Sequence, residues 1–226
     1  MSTIVFDGVS HSFGERSVLR DLNLTLTERR IGIVGANGSG KSTLVRLING
    51  LITPDAGTVT VDGLLVAKNA REVRRRVGFI FTNPDNQIVM PTVEEDVAFS
   101  LRKRGLNTAE IAGRTQAALD RFGLAAHATH PAHRRSGGQK QLLALAAVLV
   151  GEPKVVVADE PTTLLDARNS RRIADLFRAM TQQVIVVTHQ LDLLEDFDRV
   201  ICIEDGAVVA DGAPAVAIDA YRALLA

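Results

Sequence analysis

The 226 residues carry 26 basic and 26 acidic side chains, so no net field draws the chain to nucleic acid or to an acidic surface. That length supports one domain with a sizeable core, with at most a small insert. Although 46% of the residues are hydrophobic, the longest nearly unbroken apolar stretch, "LLALAAVLVG" at 142–151, is about half of what a bilayer-spanning helix needs; "MSTIVFDGVS" lacks signal-peptide features and a lone Cys202 gives no internal disulfide framework, so cytosolic residence is expected.

Taken in chain order, "TIVFDGVSHSF" and "SVLRDLNLTLTE" alternate polar and apolar residues, and "GTVTVDG" at 57 follows a "TPDAG" turn, a pattern that predicts an antiparallel sheet. The β-branched runs "IGIVG" at 31, "VGFIF" at 77, "KVVVAD" at 154, "VIVVTH" at 184 and "RVICIEDG" at 199 read as buried parallel strands. Helical spacing falls in 41–49, 108–122, 137–149 and 167–180. The alternation predicts an α/β fold, a parallel sheet with helices on both sides, preceded by the antiparallel β part. The block from 84 to 134, with two helical patterns, prolines and the "HATHPAHRR" loop, marks an inserted helical subdomain. The expected division is a core of 1–83 and 154–226 around a helical part of 84–153.

"GANGSGKST" at 35–43 matches G-x-x-x-x-G-K-[ST], with an apolar strand running into it and a helical pattern continuing from it, the context of a P-loop. Backbone N–H groups of Gly35, Ala36, Asn37, Gly38, Ser39 and Gly40 can close around phosphate oxygens, and the helix start adds partial positive charge. Lys41 is expected to reach the β- and γ-phosphates, Ser42 to ligate Mg²⁺ and Thr43 to support a phosphate. "KVVVADEP" ends a strand in Asp159, placed for the metal shell, followed by Glu160, placed to take a proton from an attacking water.

The segment "RRSGGQKQLLALAAVLVGEPKVVVADEPTTLLD" resembles the signature-to-Walker-B block of ATP-binding cassette (ABC) ATPases. A serine followed by two glycines at a helix start offers a hydroxyl and unobstructed backbone donors to an anion, which fits Ser136, Gly137, Gly138 and Gln139. The resemblance implies a P-loop NTPase core that hydrolyses ATP to ADP and phosphate. It also implies two cassettes head to tail with two ATPs between them. It further implies that Phe13 stacks on adenine, that His189 contacts the γ-phosphate, and that Asp166 communicates across the dimer. Three residues depart from the family pattern: Arg135 stands for leucine, Leu164 for glycine, and Thr82 for the Q-loop glutamine. A threonine hydroxyl is shorter than a carboxamide and lacks its NH₂ donor, which bears on metal and water organisation.

"NPDNQ" after the strand at 77 resembles the pattern of energy-coupling-factor (ECF) importer ATPases of the cobalt and biotin type, and the short chain is more similar to the biotin type. That resemblance implies a second ABC ATPase subunit, an integral membrane coupling subunit and a substrate-binding membrane subunit as partners, at the cytoplasmic face of the membrane. "PDNQIVMPTVEEDVAFSLRKR" at 84–104 is expected to expose Ile88, Val89 and Met90 for docking, ahead of a helix with acidic residues first and basic ones last. The alternatives are a soluble non-transport ABC ATPase and a weakly hydrolysing, nucleotide-gated assembly module, the second raised by Thr82. His127, His130 and His133 lie three apart, but Pro131 interrupts any helix and no carboxylate or cysteine completes a set, so a solvated loop is expected.

Overall fold

The computed structural model describes residues 1–102 and 104–225. In chain order the elements of the first half are β1 (Ile4–Phe13), β2 (Arg16–Leu26), β3 (Arg30–Val34), α1 (Lys41–Ile48), β4 (Ala56–Val61), β5 (Leu64–Leu65), α2 (Val66–Arg76), β6 (Val77–Ile80), α3 (Val93–Phe99) and α4 (Thr108–Phe122). They are followed by α5 (Gly137–Leu149), β7 (Val155–Asp159), α6 (Ala167–Ala179), β8 (Gln183–Val187), β9 (Arg199–Glu204), β10 (Ala207–Gly212) and α7 (Pro214–Leu225). The chain divides into two compact units, one of residues 1–78, 154–160 and 180–226 and another of residues 79–153 and 161–179.

Two sheets organise the first unit. One is antiparallel, in the order β2-β1-β4-β5; the other runs β10-β9-β3-β8-β7-β6, with β6 passing from the first unit into the second. β3 lies parallel to both β8 and β9, and β7 parallel to β8, while β10 closes the far edge antiparallel to β9. Every residue of β7 and of β8 is buried. Their unbroken valine and isoleucine runs show why: a strand covered on both faces has no solvent side to alternate with. α1 packs on β7 and β8, and α7 on β9, β10 and β3.

The second unit is helical, and its helix starts are written locally. Thr92 with Glu95, Asn107 with Glu110 and Ser136 with Gln139 each form a reciprocal capping box at the N-termini of α3, α4 and α5. Each such cap contributes about 1 kcal/mol and fixes where its helix begins. Buried apolar residues follow at helical spacing, among them Leu119 and Phe122 of α4 and Leu142, Leu143 and Leu145 of α5.

The structure differs from the sequence reading in several places. Residues 161–179 belong to the second unit because α6 is tied there: Arg172 Nη2 donates to the carbonyl of Phe122 at 2.9 Å. The boundary near the Q-loop falls after Gly78, not after residue 83. α2, α7 and β10 are additional elements. α2 buries only Val66 and Val73, too few apolar residues to write a helical stripe. α3 ends at Phe99 without a basic last turn, so Arg102 and Arg104 follow the helix; Lys103 lies outside the described residues. Ile88 is buried rather than exposed.

Candidate functional site

Strand register in the first unit brings three strand ends to one edge of the sheet. Val187 is the register partner of Asp159 on one side and of Ile33 on the other. The next residues are cross-tied, Glu160 N donating to Val187 O at 2.9 Å and Thr188 N to Ile33 O at 3.2 Å. The glycine loop after β3, the two carboxylates at the end of β7 and the histidine after β8 therefore share the carboxyl end of a parallel sheet, where open α/β sheets bind ligands.

The loop from Gly35 to Gly40 delivers the chain into α1. Gly40 is the N-cap at φ 108°, and a Cβ there would lie 2.7 Å from the carbonyl oxygen of Val18, so both conformation and space demand glycine. Lys41 is buried and its Nζ donates to the carbonyls of Gly35 at 2.8 Å and Ala36 at 2.7 Å. Burial pushes its ammonium below the usual lysine range, and Glu160 and Asp159 oppose that shift. Thr43 is buried at the helix start, while Asn37 and Gly38 lie on the exposed side of the loop.

Asp159 is fully buried. Ser42 Oγ donates to its Oδ1 at 2.7 Å and Arg46 Nη2 to its Oδ2 at 3.2 Å. Glu160 has a φ of 53°, and its Oε2 lies 2.8 Å from His189 Nδ1. Phe13 is 56% exposed, with its ring edge-on to His11 at 4.8 Å. It is therefore outside the core, on the β1–β2 hairpin, where its face remains available. Its register partner Arg16 reaches the loop, Nη2 lying 3.4 Å from the carbonyl of Gly38.

The second unit holds the remaining candidates. Ser136 caps α5, its Oγ accepting from Gln139 N at 3.3 Å while Gln139 Oε1 accepts from Ser136 N at 3.2 Å. Asp166 accepts from the backbone N–H of Asn169 at 2.8 Å and from its side-chain amide at 3.1 Å. Asn169 in turn fills the space above Gly138, where a Cβ would meet its Cγ at 2.6 Å. Asp166, Asn169 and Gly138 thus form a packed chain from the loop before α6 to the start of α5. Thr82 is half-buried just after β6. Gln87 does not stand in for the missing glutamine: its side chain accepts from Phe81 N at 3.3 Å and donates to Ala144 O at 3.1 Å.

His127 and His130 face each other with Nδ1 atoms 3.2 Å apart, while His133 Nδ1 lies 3.7 Å from Asp85 Oδ1; among the described residues no group of three metal-ligating side chains converges. The residues that motif reading passed over are Arg16, Arg46 and Asn169. Only Arg46 carried a sequence signal, standing four residues after Ser42 on one helix face.

Residues 19–163 match the family described as ABC transporter. The chain belongs to the ABC transporter family. This ABC protein is 44% identical to the biotin transport ATP-binding protein BioM of Rhizobium etli over 99% of each chain. It is 40% identical to the energy-coupling factor transporter ATP-binding protein EcfA1 of Lactiplantibacillus plantarum, over 93% of this chain and 77% of that one. Among solved structures it superposes on CbiO1 of Clostridium perfringens, part of the ABC transporter complex CbiONQ, with a TM-score of 0.83, 29% identity and 98% and 92% of the two chains covered. The ABC fold, with an α/β sheet containing parallel strands and an antiparallel β part, is the one described above. No helix among the described residues is long and apolar enough to cross a membrane.

Proposed function

We propose that this ABC ATPase energises an ECF-type importer of a vitamin or metal ion, with the biotin class preferred, by hydrolysing ATP to ADP and phosphate at the edge of its parallel sheet. The observation that carries the reading is the meeting of Lys41, Ser42, Asp159, Glu160 and His189 at three adjoining strand ends. The names of the relatives, biotin transport and energy-coupling factor, support the importer class.

Each residue has a role that its chemistry suits. The backbone donors of Gly35, Ala36, Asn37, Gly38, Ser39 and Gly40, with the start of α1, hold the phosphates, and Lys41 trades its loop carbonyls for phosphate oxygens. Ser42 Oγ and Asp159 Oδ1 are hard oxygen donors already 2.7 Å apart, a pair that fits Mg²⁺, which when bound offsets phosphate charge. Glu160 takes a proton from the attacking water as it adds to the γ-phosphorus. His189, bound to Glu160, orients that carboxylate and donates toward the γ-phosphate. Phe13 offers an exposed ring to adenine.

Ser136, Gly137, Gly138 and Gln139 present the N-terminus of α5 to the nucleotide of a second ABC ATPase subunit, homodimeric or paralogous, with Asp166 holding the loop beside it. Val89 is 59% exposed and Met90 half-buried, and both backbone N–H groups donate to the buried Asp96, which holds the segment in place; its exposed apolar side supports the role of docking edge for a membrane coupling subunit. A substrate-binding membrane subunit completes the importer, and the ATPase sits peripherally on the cytoplasmic face. The test is to isolate the tagged chain from membranes in mild detergent. Co-isolation of integral membrane subunits with ATP-dependent uptake supports the reading, and a chain recovered without them, in a host with unchanged uptake, overturns it.

A further inference from the structure

Arg46 makes a contact that phosphate binding does not require. Ser42 and Arg46 are four residues apart on α1 and project from one face of the helix. They divide a single carboxylate, Ser42 taking Oδ1 at 2.7 Å and Arg46 taking Oδ2 at 3.2 Å. The Asp159 side chain is 1% exposed, whereas that of Arg46 is 43% exposed. An anion so far from water is strongly disfavoured unless opposite charge compensates it. Lys41, the other cation of this junction, spends its ammonium on the carbonyls of Gly35 and Ala36.

The hold is also a light one. Nη2 of the guanidinium lies 3.2 Å from the carboxylate, a long distance for a charged pair, and Nε is buried without a partner, so the fork is not engaged through Nε and Nη2 together. A long contact from a half-exposed arginine can be released when a stronger cation takes the carboxylate. The same arginine, still beside Oδ2, repels that cation.

We infer that Arg46 is the standing counter-cation of Asp159: a positioning residue that keeps the carboxylate compensated and aimed at Ser42 while the divalent cation is away, and that competes with it on arrival. The inference rests on the metal reading of Ser42 and Asp159. Arg46 then sets how much divalent cation the ATPase needs, and it stabilises the metal-free state.

The test uses Mn²⁺ as a paramagnetic substitute for Mg²⁺, titrated into the full chain with an ATP analogue that has a nitrogen bridge between the β- and γ-phosphorus. Arg46→Met is expected to bind Mn²⁺ roughly three- to tenfold more tightly than the unaltered chain, a modest gain because the arginine is partly solvent-screened. Without nucleotide and metal it should melt at a lower temperature. Arg46→Lys, which keeps the charge, should bind Mn²⁺ as the unaltered chain does. Should Arg46→Met not fold, Arg46→Gln carries the same expectation. Unchanged or weaker Mn²⁺ binding in the charge-free variant, alongside weakened binding in Asp159→Asn, overturns the role of Arg46 alone. Unchanged binding in Asp159→Asn overturns the metal reading itself.

Discussion

Glu160 Oε2 lies 2.8 Å from Nδ1 of His189, and Glu160 reaches it from a backbone at φ 53°, in the left-handed region that residues other than glycine rarely adopt. Such a conformation costs about 1–3 kcal/mol and persists where surrounding contacts hold it. Here the hydrogen bond from Glu160 N to Val187 O, 2.9 Å long, pins the turn. From this turn the carboxylate meets the histidine after β8.

His189→Ala removes the group that aims this carboxylate. Turnover should fall by about 10²–10⁴-fold, the range typical of lost acid–base assistance, while ATP binding persists. Single-turnover hydrolysis measured beside equilibrium nucleotide binding checks this. A full-rate variant would separate the contact from catalysis.

Thr82→Gln restores a carboxamide to the Q-loop. Gln87 does not supply that group, because its amide is already engaged by Phe81 N and Ala144 O. The variant should hydrolyse ATP severalfold faster in the isolated complex. An equal or slower rate would show that threonine does not limit turnover.

Gly138→Ala places a methyl group where Asn169 Cγ would be 2.6 Å away. Overpacking of this kind costs about 1–3 kcal/mol. Displacing Asn169 also disturbs Asp166, its hydrogen-bond partner. Thermal unfolding should drop, and ATP-dependent dimerisation measured by light scattering should weaken. Asn169→Ala introduced beside it makes room, so the pair should be less destabilised than the two single costs added together.

Val89→Asp and Ile88→Asp separate docking from folding. Val89 is 59% exposed, and surface changes of this kind shift stability by only about 0.5 kcal/mol, so the variant should fold, hydrolyse ATP and fail to retain the membrane subunit. Ile88 is 4% exposed, and an unpaired carboxylate buried there should cost more than about 3 kcal/mol and reduce the yield of folded chain. Retention of the membrane subunit by Val89→Asp would move the docking edge elsewhere.

The core was legible where burial and period agree. The valine-rich runs of β7 and β8, covered on both faces, and the capped helices α4 and α5 announce themselves locally. α2 was hidden because a helix that buries only two valines among arginines writes no stripe, and α7 because its alanines are uninformative about facing. The juxtaposition of the glycine loop and the paired carboxylates was readable because the loop follows one buried strand and the carboxylates end another. The contacts of Arg46 and Asn169 were not, since each meets a residue distant in sequence, Asp159 for the first and Gly138 for the second; the i, i+4 spacing of Ser42 and Arg46 shows only that they share a helix face. Ile88 misled for a similar reason, since an apolar residue beside prolines and amides reads as loop surface until its burial is known.

The most direct measurement is steady-state ATPase activity of Glu160→Gln in the isolated complex, with ATP and divalent-cation binding followed in parallel. The substitution keeps the shape of the side chain and removes its basicity. Turnover should fall by about 10²–10⁴-fold with binding retained. Unaltered hydrolysis would remove Glu160 from the role of general base and contradict the chemistry assigned to this sheet edge.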